Sequence, residues 1–166
     1  YTQSLVCDRR SLRMNDLILQ LIYALFATCG FSILFKVPAK QIPFCMMTGA
    51  LSWGCYQFSI YYEMSPVMSC FLASCFVGVL SEIFARFRKE ASTVFTIPGI
   101  ICLVPGSNIY YTMAAILEQN FNQAASVGTE TLMMAGAIAA GLLIVGSLIR
   151  ILRSVIRRTV NLKEKL

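Results

Sequence analysis

The chain has 166 residues, of which 57% are hydrophobic and only 13% charged, and its mean hydropathy is +0.69. That composition excludes an ordinary soluble domain, because the apolar residues come in runs close to the ~20 that a helix needs to cross a bilayer. The net charge of +6 sits at the edges of those runs and in the C-terminal segment, without interleaved exposed aromatics, so nucleic acid is excluded as a partner.

In chain order, residues 1–13, "YTQSLVCDRRSLR", form a polar extension ahead of Met14; they are either upstream sequence or non-native residues. The first apolar run is too long, and lacks the small-residue site, for a cleavable signal. Five membrane spans are predicted, at 17–35, 43–62, 65–85, 94–117 and 129–149, giving an all-α integral membrane protein. The membrane domain then covers 14–150, and 151–166 is a basic cytoplasmic tail lying as a helix against the inner leaflet. The alternative has four spans, with the fourth apolar segment re-entrant. Connections are short, so sequence neighbours pack as antiparallel hairpins.

Lys36 and Lys40 follow the first span, Arg86, Arg88 and Lys89 follow the third, and Arg150, Arg153, Arg157, Arg158, Lys163 and Lys165 follow the fifth. Five spans put all of these on one side, which the positive-inside rule makes cytoplasmic: N-terminus out, C-terminus in.

Lipid gives helices no hydrophobic reason to associate, so small residues must bring them together. The third span offers Cys70, Ser74 and Gly78, a row that ends at Glu82. The second offers Ala50 and Gly54; the fifth offers Ala137 with Gly141 and Gly136 with Ala140. These faces serve either internal packing or a partner subunit.

Little points to catalysis. There is no histidine, so no nucleophile–base pair of the usual kind, and the seven cysteines include no CxxC. Six cysteines fall in apolar runs as small fillers, and zinc or any other metal or cofactor is not expected. Asp16, Glu63, Glu82, Glu118 and Glu130 all lie near predicted interfaces. Glu82 is either a proton-coupling carboxylate or the i+4 partner of Arg86.

The informative segment is "FTIPGIICLVPGSNIYY", residues 95–111, inside the fourth span. Proline removes a helix donor and glycine adds backbone freedom, so Pro98-Gly99 and Pro105-Gly106 each read as a helix break. The first pair shapes entry or gating. The second falls near mid-membrane, with Ser107 as N-cap of a following half-helix. Non-helical backbone at that depth must be buried in protein or line a cavity. The half-helix N-terminus offers N–H groups and a positive dipole end, suited to a carboxylate. Ser107, Asn108, Tyr111 and Thr112 share one helical face, opposite Ile109, Met113, Ile116 and Leu117. The candidate substrate site is therefore Pro105, Gly106, Ser107, Asn108, Tyr111 and Thr112. The competing reading is a kinked structural helix whose polar groups bond its neighbours.

"FTIPGIICLVPGSNIYYTM", with "FKVP" at residues 35–38 and "GALSWG" at 49–54, resembles the threonine/serine exporter family over residues 14–150. The nearest likeness is to its small membrane subunit, which corresponds to the C-terminal half of single-chain exporters. Relatives often carry a further proline where this chain has Cys102. The resemblance implies a secondary exporter in the bacterial cytoplasmic membrane, taking threonine and serine or dicarboxylates such as succinate. It also implies proton coupling and a larger membrane partner subunit or a homo-oligomer. A non-transporting scaffold subunit is the alternative from a different class, and a passive channel is a third.

Overall fold

Backbone groups in lipid must bond within their own segment, which leaves the helix as the default for these apolar runs. The computed structural model describes residues 14–163, and side chains over 17–152. All its regular structure there is helical: α1 (Met14–Leu34), α2 (Ile42–Tyr61), α3 (Pro66–Arg88), α4 (Thr93–Ile101), α5 (Gly106–Leu117) and α6 (Phe121–Lys163). The extension 1–13 lies outside the described residues, as do the tail side chains.

Local chemistry sets the helix ends. Ser65 caps α3 by accepting the Met68 N–H at 3.3 Å, and Pro66 follows it where a missing N–H costs nothing. Lys36, Glu63, Lys89 and Gln119 lie just beyond the ends of four helices with φ of 54–59°, the left-handed geometry that glycine usually supplies.

Side-chain contacts fix the direction of each helix. Gly49 meets Thr28 and Gln57 donates to Gln20, so α1 and α2 are antiparallel. Cys45 meets Val94 and Thr48 meets Gly99, so α2 and α4 run parallel. Ser74 meets Gly141 and Gly78 meets Val145, so α3 and α6 run parallel. Asn108 meets Met134 and Thr112 meets Gly128, so α5 and α6 are antiparallel. The chain therefore travels back and forth between two ends. Among the residues with described side chains, Lys36, Lys40, Arg86, Arg88, Lys89 and Arg150 all fall at one end, with Glu82 and Glu90. The other end carries Glu63, Glu118 and Glu130.

The small-residue rows work as close-packing faces. Cβ atoms at Gly141 and Gly78 would collide with Ser74 Oγ and stand 3.0 Å from Val145 Cγ1, respectively. Gly136 faces open space instead, so of the two small pairs in α6 only Ala137/Gly141 is turned inward. The core combines Cys70, Ala73, Val77, Leu103, Met134 and Ile138 with a second cluster of Cys45, Ala85 and Phe95.

An arginine closes the basic end. Arg88 Nε donates to the buried Gln41 Oε1 at 2.9 Å, and its guanidinium lies 5.1 Å from the Phe44 ring. Phe44 packs edge-on against Phe84 and Phe95, which ties α2, α3 and α4 together. Arg88→Leu strands the Gln41 amide, and the expected loss is about 1–3 kcal/mol. A lowered melting temperature in detergent, with faster tryptic cleavage after Lys40, is the readout.

Three helices are long and apolar enough to cross a membrane alone, Leu17–Leu34, Pro66–Arg88 and Phe121–Leu152; the α4–α5 pair, bent by 50°, brings the number to four if it is counted as one broken span rather than a re-entrant loop. Helix α2 has 20 residues but falls outside that set; it carries Thr48, Ser52, Gln57 and Ser59. The fourth segment also differs from expectation. It is interrupted once, not twice, because Pro98 lies inside α4. The last helix starts at Phe121, earlier than the predicted 129, and continues through the expected tail to Lys163.

Candidate functional site

Pro98 sits in α4 without ending it because its neighbours replace the lost hydrogen bond. A proline there leaves the Val94 carbonyl without its i+4 donor. The Cys45 thiol donates to that carbonyl at 3.4 Å. One turn on, Ser52 Oγ donates to the Gly99 carbonyl at 3.2 Å. Gly99 itself is required by close approach: a Cβ there would stand 2.8 Å from Thr48 Cγ2 and 3.3 Å from Val77 Cγ1. Cys102 follows, its sulfur 3.1 Å from Thr28 Oγ1 and 3.6 Å from the Ala24 carbonyl that Thr28 also engages. The first half-helix thus lies in a cradle of neutral hydroxyls and thiols from α1 and α2. Thr28, Ser32, Thr48 and Ser52 are all fully buried, and each also satisfies itself on a carbonyl three or four residues back.

The interruption itself is an inverse γ-turn. Pro105 has φ −75° and ψ 62°, and the Gly106 N–H donates to the Val104 carbonyl at 2.8 Å. Helix α5 starts directly after it, and the Ile109 N–H bonds back to Pro105 O at 3.2 Å. The Ser107 and Asn108 N–H groups are then first-turn donors without a backbone partner. Ser107 is not the N-cap: it lies inside α5, exposed, and makes no capping bond. Pro105 takes that position because its turn already aims the chain into the helix.

The polar face of α5 divides. Asn108 and Thr112 turn toward α6: Asn108 Nδ2 lies 3.8 Å from Met134 Sδ, and Thr112 Oγ1 donates to the Asn108 carbonyl at 2.7 Å. Ser107 and Tyr111 are exposed, with Tyr111 packed edge-on to Tyr110 at 5.7 Å. Gly106 is exposed, and a Cβ there would meet nothing within 4 Å. Glu82 is not part of this group. It lies at the far end of α3, 3.5 Å from Arg86, in the i,i+4 pair the spacing suggests. No cluster of metal-ligating residues occurs among the described residues.

Sequence reasoning missed the cradle. Its signal was the i,i+4 rows Thr28/Ser32 and Thr48/Ser52, single polar faces on otherwise apolar spans. The one-break geometry gives a direct contrast. Pro98→Ala is expected to leave the 50° bend between α4 and α5 unchanged, since the Val94 carbonyl already has a partner; Pro105→Ala admits continuous helix and is expected to reduce it. The distance between spin labels at Thr93 and Leu117 measures both.

Comparison with known proteins bears on this geometry. Residues 20–148 match the family model described as "Threonine/Serine exporter, ThrE". The chain is 27% identical over 143 residues to an uncharacterised protein of Haemophilus influenzae, a match covering 81% of this chain and 48% of the relative. The chain thus spans about half the length of that curated relative. No solved structure matches it. With the family model matching residues 20–148 of an all-helical chain that carries three apolar helices of membrane length, the protein belongs to the threonine/serine exporter family, ThrE.

Proposed function

We infer that the chain is one half of a secondary exporter that carries a small carboxylate-bearing metabolite through the α4–α5 interruption. The observation that carries this reading is a broken helix gripped by neutral buried hydroxyls within an exporter-family chain. The N–H groups of Ser107 and Asn108 receive the carboxylate, assisted by the positive end of α5. The remaining members of the site are Pro105, Gly106, Tyr111 and Thr112, with Pro98 and Gly99 holding the half-helix on the other side of the turn.

Charge favours an amino acid over a dicarboxylate. No Lys or Arg with a described side chain lies between the two charged ends. A dianion entering such a site would have no countercharge, whereas threonine or serine brings its own ammonium. Succinate and similar dicarboxylates form the second substrate class of this reading.

In the membrane, α2 completes five crossings, and the basic end faces the cytoplasm of a bacterial inner membrane. The N-terminus is then outside and the C-terminus inside. A larger membrane subunit, or a second copy, supplies the rest of the exporter. Glu82 is the candidate for proton coupling; its pairing with Arg86, at 3.5 Å and with the arginine side chain exposed, contributes little to stability.

The test loads cells with a threonine-containing dipeptide and follows efflux with and without this chain and its partner. Accelerated threonine or serine efflux supports the exporter; unchanged efflux of threonine, serine and succinate leaves the scaffold reading. A passive channel predicts flux insensitive to an uncoupler. Glu82→Gln is expected to abolish uncoupler-sensitive efflux while the protein still inserts; wild-type behaviour would move the coupling group elsewhere.

A further inference from the structure

One part of the fold stands away from the rest. Helix α5 packs on α6 and on no other helix among the described residues. The parallel contacts Ser74–Gly141 and Gly78–Val145 share one offset, which sets the start of α3 level with about residue 133 of α6. The stretch 121–132 then continues roughly 18 Å past that start, at ~1.5 Å per residue. Together α5 and this stretch make a helical hairpin.

The hairpin is stabilised by its own contacts. Asn120 closes its turn, accepting the Gln123 N–H at 3.3 Å and donating to Gln123 Oε1 at 3.1 Å. Ala115 and Ala124 are buried, and Thr112 seats against Gly128. Its outward side is mixed. Tyr110 is 69% exposed, Leu117 84% and Phe121 67%, yet exposed Asn122, Gln123, Ser126, Thr129 and Glu130 lie on the same arm. Hydrocarbon does not solvate those polar groups, and water does not favour those large apolar ones. A protein surface accommodates both.

The relative in Haemophilus influenzae is about twice as long as the stretch matched here, so a comparable length of chain accompanies this half there. We propose that the arm, residues 106–132, is the docking surface for a membrane partner equivalent to the part of that relative which this chain does not cover. The partner then closes the open side of the α4–α5 turn, where Ser107 and Tyr111 are exposed. This rests on the reading of the chain as one half of an exporter.

The test places a photo-crosslinking amino acid at Tyr110 or Leu117 of the full chain in its native membrane, with Leu143 on α6, 70% exposed, as control. The expected product joins this chain to one whose peptides, by mass spectrometry, match the uncovered part of the longer relative, at about tenfold the yield from Leu143. Products containing only a second copy of this chain, or only lipid, overturn the proposal. The same partner captured from Leu143 and not from the arm also overturns it, while leaving the half-exporter reading standing. Efflux measured on the unmodified chain in parallel separates the two: no wild-type efflux removes the exporter reading itself.

Discussion

Gly106→Leu is expected to lower threonine and serine efflux by about tenfold or more, with insertion and melting temperature unchanged. The two halves of that expectation come from different observations. A side chain at Gly106 would meet nothing within 4 Å, and no positive φ is involved, so the fold does not need glycine there. The position nevertheless adjoins the Ser107 and Asn108 N–H groups, where a leucine obstructs an approaching carboxylate. Asn108→Ala is the companion change. It removes a contact to Met134 Sδ, too weak to matter much for stability, together with a polar group beside the same donors. Efflux from cells at matched expression, alongside thermal melts of the purified chain, reads both. Normal transport in the two variants would remove the site assignment.

Gly49→Val is expected to act in the opposite way, depleting folded protein before any question of transport arises. A Cβ at Gly49 would collide with Thr28 Oγ1 and stand 2.9 Å from Thr28 Cβ. Thr28 is fully buried and engages both the Ala24 carbonyl and Cys102, so it cannot give way without disturbing the cradle. Overpacking of this kind costs about 1–3 kcal/mol or more. Gly30→Val is the control, since a Cβ there meets nothing within 4 Å. Partial recovery of Gly49→Ala by Thr28→Ala would locate the clash, because residues in contact couple energetically. Yield of monodisperse protein in detergent and its melting temperature are the readouts. Equal behaviour of the Gly49 and Gly30 valine variants would contradict the close α1–α2 approach.

Much of the fold was legible because lipid simplifies the code. Apolar runs became helices with ends within a few residues of expectation, except α6, whose polar first turns carry no span signal. The Cys70/Ser74/Gly78 row also packs as its spacing suggests. Pro98 was misread because a proline inside a helix does not always end it, and here a neighbour takes up the carbonyl it frees. The replacement, Cys45, lies 49 residues from Val94, beyond any local pattern. Pro105 was read correctly as a break, yet Ser107 was misread as the cap, since a γ-turn at Pro105 is not announced by composition. The Cys102 sulfur reaches Thr28 and Ala24, a contact between distant residues that ties the end of α4 to α1. Helix periodicity predicted the shared face of Ser107, Asn108, Tyr111 and Thr112. It did not predict that α6 would take two of them and leave two exposed.

Substrate protection of a cysteine at Ser107 tests the central claim most directly. Ser107 is exposed at the first turn of α5, so Ser107→Cys is expected to react with a maleimide faster than the parent chain does. The measurement follows labelling of Ser107→Cys and of Glu90→Cys, exposed in the connection after α3 and outside the arm, in membranes holding the partner. The account predicts that saturating threonine slows labelling at Ser107 and leaves Glu90 unaffected. Equal labelling at Ser107 with and without threonine, serine or succinate would contradict it.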